Sequence, residues 1–174
     1  DIKQYFIGEN GIEAHKQREE VYTKRLSESI LQSFRQYNIV LPSHLLSFVA
    51  LETLMRKFDH LDFYQVLHLS PEDAILDYQM FEKLVGEARG ILLKKAANGG
   101  LLLHEKITEG VGQCIKNGLD DIGIYHPQKP ILKTKDNKIM SQDITLLYYY
   151  RNRLNEYGLK NEFKHILDKQ THLI

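Results

Sequence analysis

At 174 residues and 43% hydrophobic content, the chain can close one core with room for a small subdomain, and it is too apolar for a disordered polypeptide. Lys+Arg and Asp+Glu number 23 each, so the net charge of zero gives the whole molecule no pull toward nucleic acid or an anionic bilayer, leaving that to local patches. The single cysteine, Cys114, excludes an internal disulfide and fits a reducing, cytoplasmic setting; with no apolar run near the ~20 residues of a spanning helix, a soluble chain is expected.

Residues 1–11, interrupted by Gly8 and Gly11, read as a linker or lead-in; they do not look like a signal peptide, and a start within such a segment suggests a piece of a larger protein. One helical domain is expected over 12–174. Its first helix, 12–38, repeats Tyr22, Leu26, Ile30 and Phe34 every four residues, with Tyr37 three further on. Those residues share one face, and Arg18, Lys24, Arg25, Glu28 and Gln32 take the wet side. Leu41-Pro42-Ser43 then restarts the chain, because proline cannot continue a helix but suits the first turn of a new one. The helix that follows, 43–58, carries apolar residues round nearly its whole circumference and is expected at the centre of the core. Arg56 and Lys57 complement the negative end of its dipole.

After a short segment from Leu61 to Leu67, Ser70-Pro71-Glu72-Asp73 has the hydroxyl cap, first-turn proline and carboxylates of a helix start, predicting a helix over 71–98 that stops at Asn98-Gly99-Gly100. Ile107, Val111 and Ile115 mark another over 104–118. Pro127 and Pro130 change the punctuation. Ile131-Leu132-Lys133-Thr134 and Lys138-Ile139-Met140, around Asp136-Asn137, predict a small β-hairpin near 131–140. Ser141 is read as the cap of a helix over 141–157, closed by Gly158, and Phe163, Ile166 and Leu167 suggest a terminal helix. The fold class expected is mainly α, a bundle-like domain with that hairpin.

Few side chains suggest chemistry. His15, His44, His60, His68, His104, His126, His165 and His172 include no pair at the short spacing of zinc motifs, and Cys114 has no cysteine partner, so neither metal nor cofactor is expected. Cys114 reads as a small buried thiol. Lys129, Lys133, Lys135 and Lys138 gather positive charge at the hairpin, where they would guard a strand edge, meet anionic lipid head groups, or serve a winged-helix nucleic-acid binder. The last is disfavoured by the balanced charge and the lack of a polar recognition helix, so no nucleic acid is expected.

The densest block is Leu146-Leu147-Tyr148-Tyr149-Tyr150-Arg151-Asn152-Arg153-Leu154. Leu147, Tyr150 and Leu154 share a face assigned to the core; Tyr148, Asn152 and Asn155 form another, and Arg151 and Arg153 point differently again. Side chains that are apolar with a polar tip suit burial against a second surface, or simply a well-packed terminal helix. With Arg18-Glu19-Glu20-Val21-Tyr22, Leu41-Pro42-Ser43-His44-Leu45, Leu61-Asp62-Phe63-Tyr64 and Gly123-Ile124-Tyr125-His126, this block resembles the carboxyl-terminal region of bacterial glycerol-3-phosphate O-acyltransferases and related dihydroxyacetone-phosphate acyltransferases. The likeness runs from about Arg18 to Leu159.

That family transfers a fatty acyl group from a thioester carrier to glycerol 3-phosphate at a membrane surface, using an H-x-x-x-x-D motif and a Glu-Gly-Thr block with a nearby arginine. The one formal match here, His68 to Asp73, has Ser70 and Pro71 engaged in a helix start, and Glu109-Gly110-Val111 lacks the threonine. No catalytic residue is therefore carried over. The resemblance implies a noncatalytic carboxyl-terminal accessory domain in phospholipid biosynthesis. Its partners would be the catalytic domain of the parent enzyme and an anionic membrane surface, with Tyr148, Tyr149, Arg151, Asn152, Arg153, Lys133, Lys135 and Lys138 as the candidate interaction surface. A free-standing helical interaction module is the alternative. Acyl donor and oligomeric state are not legible in the sequence.

Overall fold

A computed structural model describes residues 11–170. The chain is mainly α-helical with a small antiparallel sheet. It divides into two compact units, residues 1–37 and 38–174. The described part of the first is one helix, α1 (Gly11–Tyr37). The four-residue recurrence lies along it, and Val21, Leu26, Ile30 and Leu31 are exposed there.

The second unit is built on α2 (Pro42–Lys57). Leu41 is extended, and Pro42 in the first turn fixes the restart read from the sequence. Every residue from Pro42 to Leu54 is buried, which fits the apolar circumference. Lys57, in the last turn, donates through Nζ to the carbonyls of Asp73 (3.4 Å) and Ile75 (3.0 Å), tying the following turn to the helix end. The short α3 (Phe63–Leu67) opens with a reciprocal cap: Asp62 accepts from the Gln65 amide at 2.8 Å, and the Gln65 side chain accepts from the Asp62 amide at 2.9 Å.

The predicted helix over 71–98 starts seven residues late. Ser70-Pro71-Glu72-Asp73 forms a turn, in which the Asp73 and Ala74 amides bond the Ser70 carbonyl and the Ser70 hydroxyl donates to Asp73 at 2.8 Å. The chain then runs through β2 (Ile75–Asp77) into α4 (Tyr78–Ala97), whose cap is Asp77, accepting from the Met80 amide at 2.9 Å. Ser, Pro and Asp are favoured in turns for the same local hydrogen bonds that favour them at caps, so the signal was sound in kind and displaced in position.

β1 (Ile39–Val40) and β3 (Leu102–Leu103) form a two-residue parallel pair. The helix expected over 104–118 is two: α5 (Glu105–Thr108) and α6 (Val111–Asp121). Arg89 of α4 donates to the carbonyls of Ile107, Thr108 and Glu109, which a continuous helix would need as acceptors, and Glu109 is extended. Gly118 of α6 lies against α2, where a Cβ would come within 2.5 Å of the Leu46 side chain.

The hairpin is β4 (Ile131–Lys133) and β5 (Lys138–Ser141), with Asn137 at φ 57° in the turn. It also pairs with β2, giving the order β2-β5-β4, with Leu76 opposite Ile139 and Asp77 opposite Lys138. The helix predicted over 141–157 is α7 (Ile144–Arg151) continued by a 3-10 segment, Asn152–Tyr157. Its cap is Asp143, accepting from the Leu146 amide at 2.8 Å, while Ser141 belongs to β5. Gly158, at φ 66°, ends the segment and starts α8 (Leu159–Lys169), whose Phe163 and Leu167 are buried.

Candidate interaction face around Tyr148 to Tyr157

α7 and the 3-10 segment are held along α2. Ile144, Leu147, Arg151, Leu154 and Tyr157 are buried, at spacings of three, four, three and three. Ile144, Leu147 and Arg151 follow the α-helical face, and the 3-10 winding beyond it, in which residues three apart eclipse one another, brings Tyr157 inward after Leu154. The face read from the sequence has Tyr150 in the core and Arg151 apart from it, whereas Arg151, four residues after buried Leu147, is 8% exposed and Tyr150 is half-buried.

Arg151 is therefore a core residue. Its Nε donates to Glu52 Oε1 of α2 at 3.1 Å, its Nη2 donates to the same oxygen, and its Nη1 donates to Asn155 Oδ1. The guanidinium carbon lies 6.0 Å from the Phe48 ring centroid, and Phe48 packs on Phe163 of α8 at 5.2 Å. Both members of the ion pair are nearly desolvated, each side chain 9% exposed. A buried guanidinium needs such a counter-charge, and its flat face tolerates an aromatic neighbour.

The tyrosines separate as successive helix positions must. Tyr148 meets Phe63 of α3 edge-on at 5.0 Å. Tyr149 is 57% exposed and touches Tyr150 edge-on at 5.6 Å. Tyr150 lies between His44 of α2, at 6.4 Å, and His126, at 6.3 Å. Asn38 donates to the Tyr157 hydroxyl at 3.0 Å and the Arg153 carbonyl at 3.3 Å, fastening the 3-10 segment to the chain entering β1.

The sequence shows His44 as a histidine without a zinc-motif partner and as a member of the Leu41–Leu45 block, and gives it no structural role. It is 7% exposed, and its Nδ1 accepts the Leu41 amide at 3.2 Å. Since that amide can only donate, the proton of the neutral ring sits on Nε2. Burial first, and then the Arg153 guanidinium, lower its pKa from 6.5 to about 4. Burial likewise pushes the Cys114 thiol up to about 11, as a structural cysteine requires.

Of the predicted surface, Tyr149 and Arg153 are exposed, Tyr148 and Asn152 are half-buried, and Arg151 is spent on the core. Lys133 is exposed, with Nζ 3.4 Å from the Tyr78 ring centroid, and Lys135 and Lys138 are exposed on the hairpin. Lys129 donates to the carbonyls of Leu119 (2.6 Å) and Asp120 (3.3 Å), at the end of α6. Ile124 and Tyr125, the latter 94% exposed, add apolar surface outside the interaction face expected from the sequence; Gly123, at φ 70°, turns the chain there.

His68 and Asp73 are engaged separately. His68 Nδ1 lies 2.8 Å from the Tyr64 carbonyl and its ring 4.2 Å from that of Tyr64, while Asp73 bonds Ser70. No group of three His, Cys, Asp or Glu among the described residues is placed to hold a metal, and no helix among them is long and apolar enough to cross a membrane. A shallow groove of about 390 Å³ runs between α4 and α8 beside Gly86, Gly90, Ile91 and Ile166. Comparison with known protein families, curated proteins and solved structures gives no match.

Proposed function

We propose that this chain is a noncatalytic helical interaction domain, the carboxyl-terminal accessory part of a glycerol-3-phosphate O-acyltransferase-like enzyme of phospholipid synthesis. The observation that carries the noncatalytic half is the use made of the Leu146–Leu154 block. Leu147, Arg151 and Leu154 are committed to the core, and Arg151 spends its donors on Glu52 and Asn155, so the block that carries the resemblance serves the fold. His68 and Asp73 spend their hydrogen bonds on local turns, where a general base would need the carboxylate on its ring. The docking role draws on exposed Tyr149, Ile124 and Tyr125, apolar bodies that a partner would cover.

The assay is acyl transfer from acyl-CoA to glycerol 3-phosphate by the purified chain, with no turnover expected. Turnover abolished by His68→Ala overturns the noncatalytic reading. The parent-enzyme half is tested by the coding sequence upstream of Asp1, expected to hold H-x-x-x-x-D and Glu-Gly-Thr blocks in frame. An independent start codon immediately upstream, without those blocks, favours a free-standing interaction module. Docking is tested by titrating the catalytic part against the chain, with Tyr149→Ala and Tyr125→Ala expected to weaken binding.

A further inference from the structure

We propose that His44 is an acid-operated latch: its neutral ring joins the first turn of α2 to the Tyr148–Tyr157 segment, and its protonated ring releases that segment. The proposal stands independently of the docking role.

Two features of the geometry and one of the electrostatics act in the same direction. The ring's Nδ1 is the acceptor for the Leu41 amide, and the His44 backbone amide in turn bonds the Leu41 carbonyl at 3.1 Å, closing the turn that starts the helix. A proton on Nδ1 sets donor against donor. The ring also sits in the first turn of a sixteen-residue helix, at the positive end of its dipole, where a second positive charge is disfavoured. Arg153, on the 3-10 segment, adds a cation whose influence opposes protonation.

Among the described residues, the groups facing the ring from neighbouring elements bring no carboxylate to it. α7 presents Tyr150, backed by His126 and Tyr149. Within α2, Glu52 lies two turns further on and is spent on Arg151. α6 packs on this end of α2 through Gly118, whose Cβ position is 3.2 Å from the Pro42 carbonyl carbon, and its Lys116, Asp120 and Asp121 are exposed. Burial keeps the neutral ring favoured in the closed form, consistent with its lowered pKa. Expulsion of the imidazole removes the cap bond and the Tyr150 contact together, so loss of order should centre on residues 41–46 and 148–157 before the rest of the unit opens.

Amide hydrogen exchange of the full chain tests this, with protection corrected for intrinsic rate and α4 as internal reference. Protection of 41–46 and 148–157 is expected to fall by up to roughly tenfold per pH unit below about pH 6.5, while Phe81–Leu92 keeps its own. His44→Asn leaves an acceptor for the Leu41 amide but no titrating ring, and should remove that dependence. Unchanged protection in the wild type, or an equal fall in His44→Asn, overturns the latch. Should that variant not fold, the His44 ring proton signals of the wild type decide: a ring still neutral at about pH 5 that moves only as those amides open supports the latch. A ring that protonates near its ordinary value of about 6.5 with the amides undisturbed sinks it.

Discussion

Arg151 and Glu52, 99 positions apart in the chain, meet as a nearly desolvated ion pair that fixes α7 against α2, with the Phe48 ring beneath the guanidinium. Removing one member leaves the other charge buried without a partner. Arg151→Met or Glu52→Gln should each cost about 3–5 kcal/mol in equilibrium unfolding. The double replacement Glu52→Leu with Arg151→Met should cost well under the sum of the two, because no orphaned charge remains. Additive losses would show that the two side chains act independently.

Two glycines on neighbouring helices should respond with opposite signs. A methyl at Gly118 would meet Leu46 at 2.5 Å and the Pro42 carbonyl carbon at 3.2 Å, whereas one at Gly90 would meet nothing within 4 Å. Gly118→Ala is expected to destabilise by about 1–3 kcal/mol. Gly90→Ala, in the interior of α4, is expected to stabilise by about 0.5–1 kcal/mol through helix propensity. Thermal or urea melts of the two variants check both signs.

Acid should weaken the global fold as well as the local latch. His44 binds a proton more readily unfolded, near 6.5, than folded, near 4, so the unfolded state holds more protons between those values. Its contribution is fully present above about pH 6.5, falls as pH drops through that window and levels off below about pH 4, a total of about 3 kcal/mol. Urea titrations across that range, with His44→Asn as the reference, isolate the histidine from the carboxylates.

Cys114 should be nearly inert to thiol reagents in the native state. Its side chain is fully buried and its thiol is held up to about 11, so little thiolate is present at neutral pH. Labelling with a disulfide reagent should proceed at the rate of structural opening and become fast in denaturant. Rapid native labelling would place the thiol at a surface.

The apolar circumference of 43–58, the Pro42 restart, the hairpin near 131–140 and the stop at Gly158 were all legible in the sequence, because each rests on contacts or dihedral restrictions within a few residues. Three boundaries were not. The strand β2 is three residues long and gains its hydrogen bonds from β5, more than sixty positions away, so Ser70-Pro71 looked like a helix cap. Arg89 divides 104–118 from outside by taking the carbonyls that would have continued the helix. The helix over 141–157 gives way to 3-10 winding after Arg151, and Arg151 itself sits on the core face because α2 supplies the Glu52 carboxylate.

The chain on its own thus determined the helical class, the buried central helix and most of the turns, since backbone stereochemistry and apolar periodicity are local properties. Only the folded unit decided the fates of the polar side chains. Whether Arg151 is core or surface, and whether His44 is idle or caps a helix, depends on which distant groups share its low-dielectric surroundings, and spacing along the sequence does not specify that.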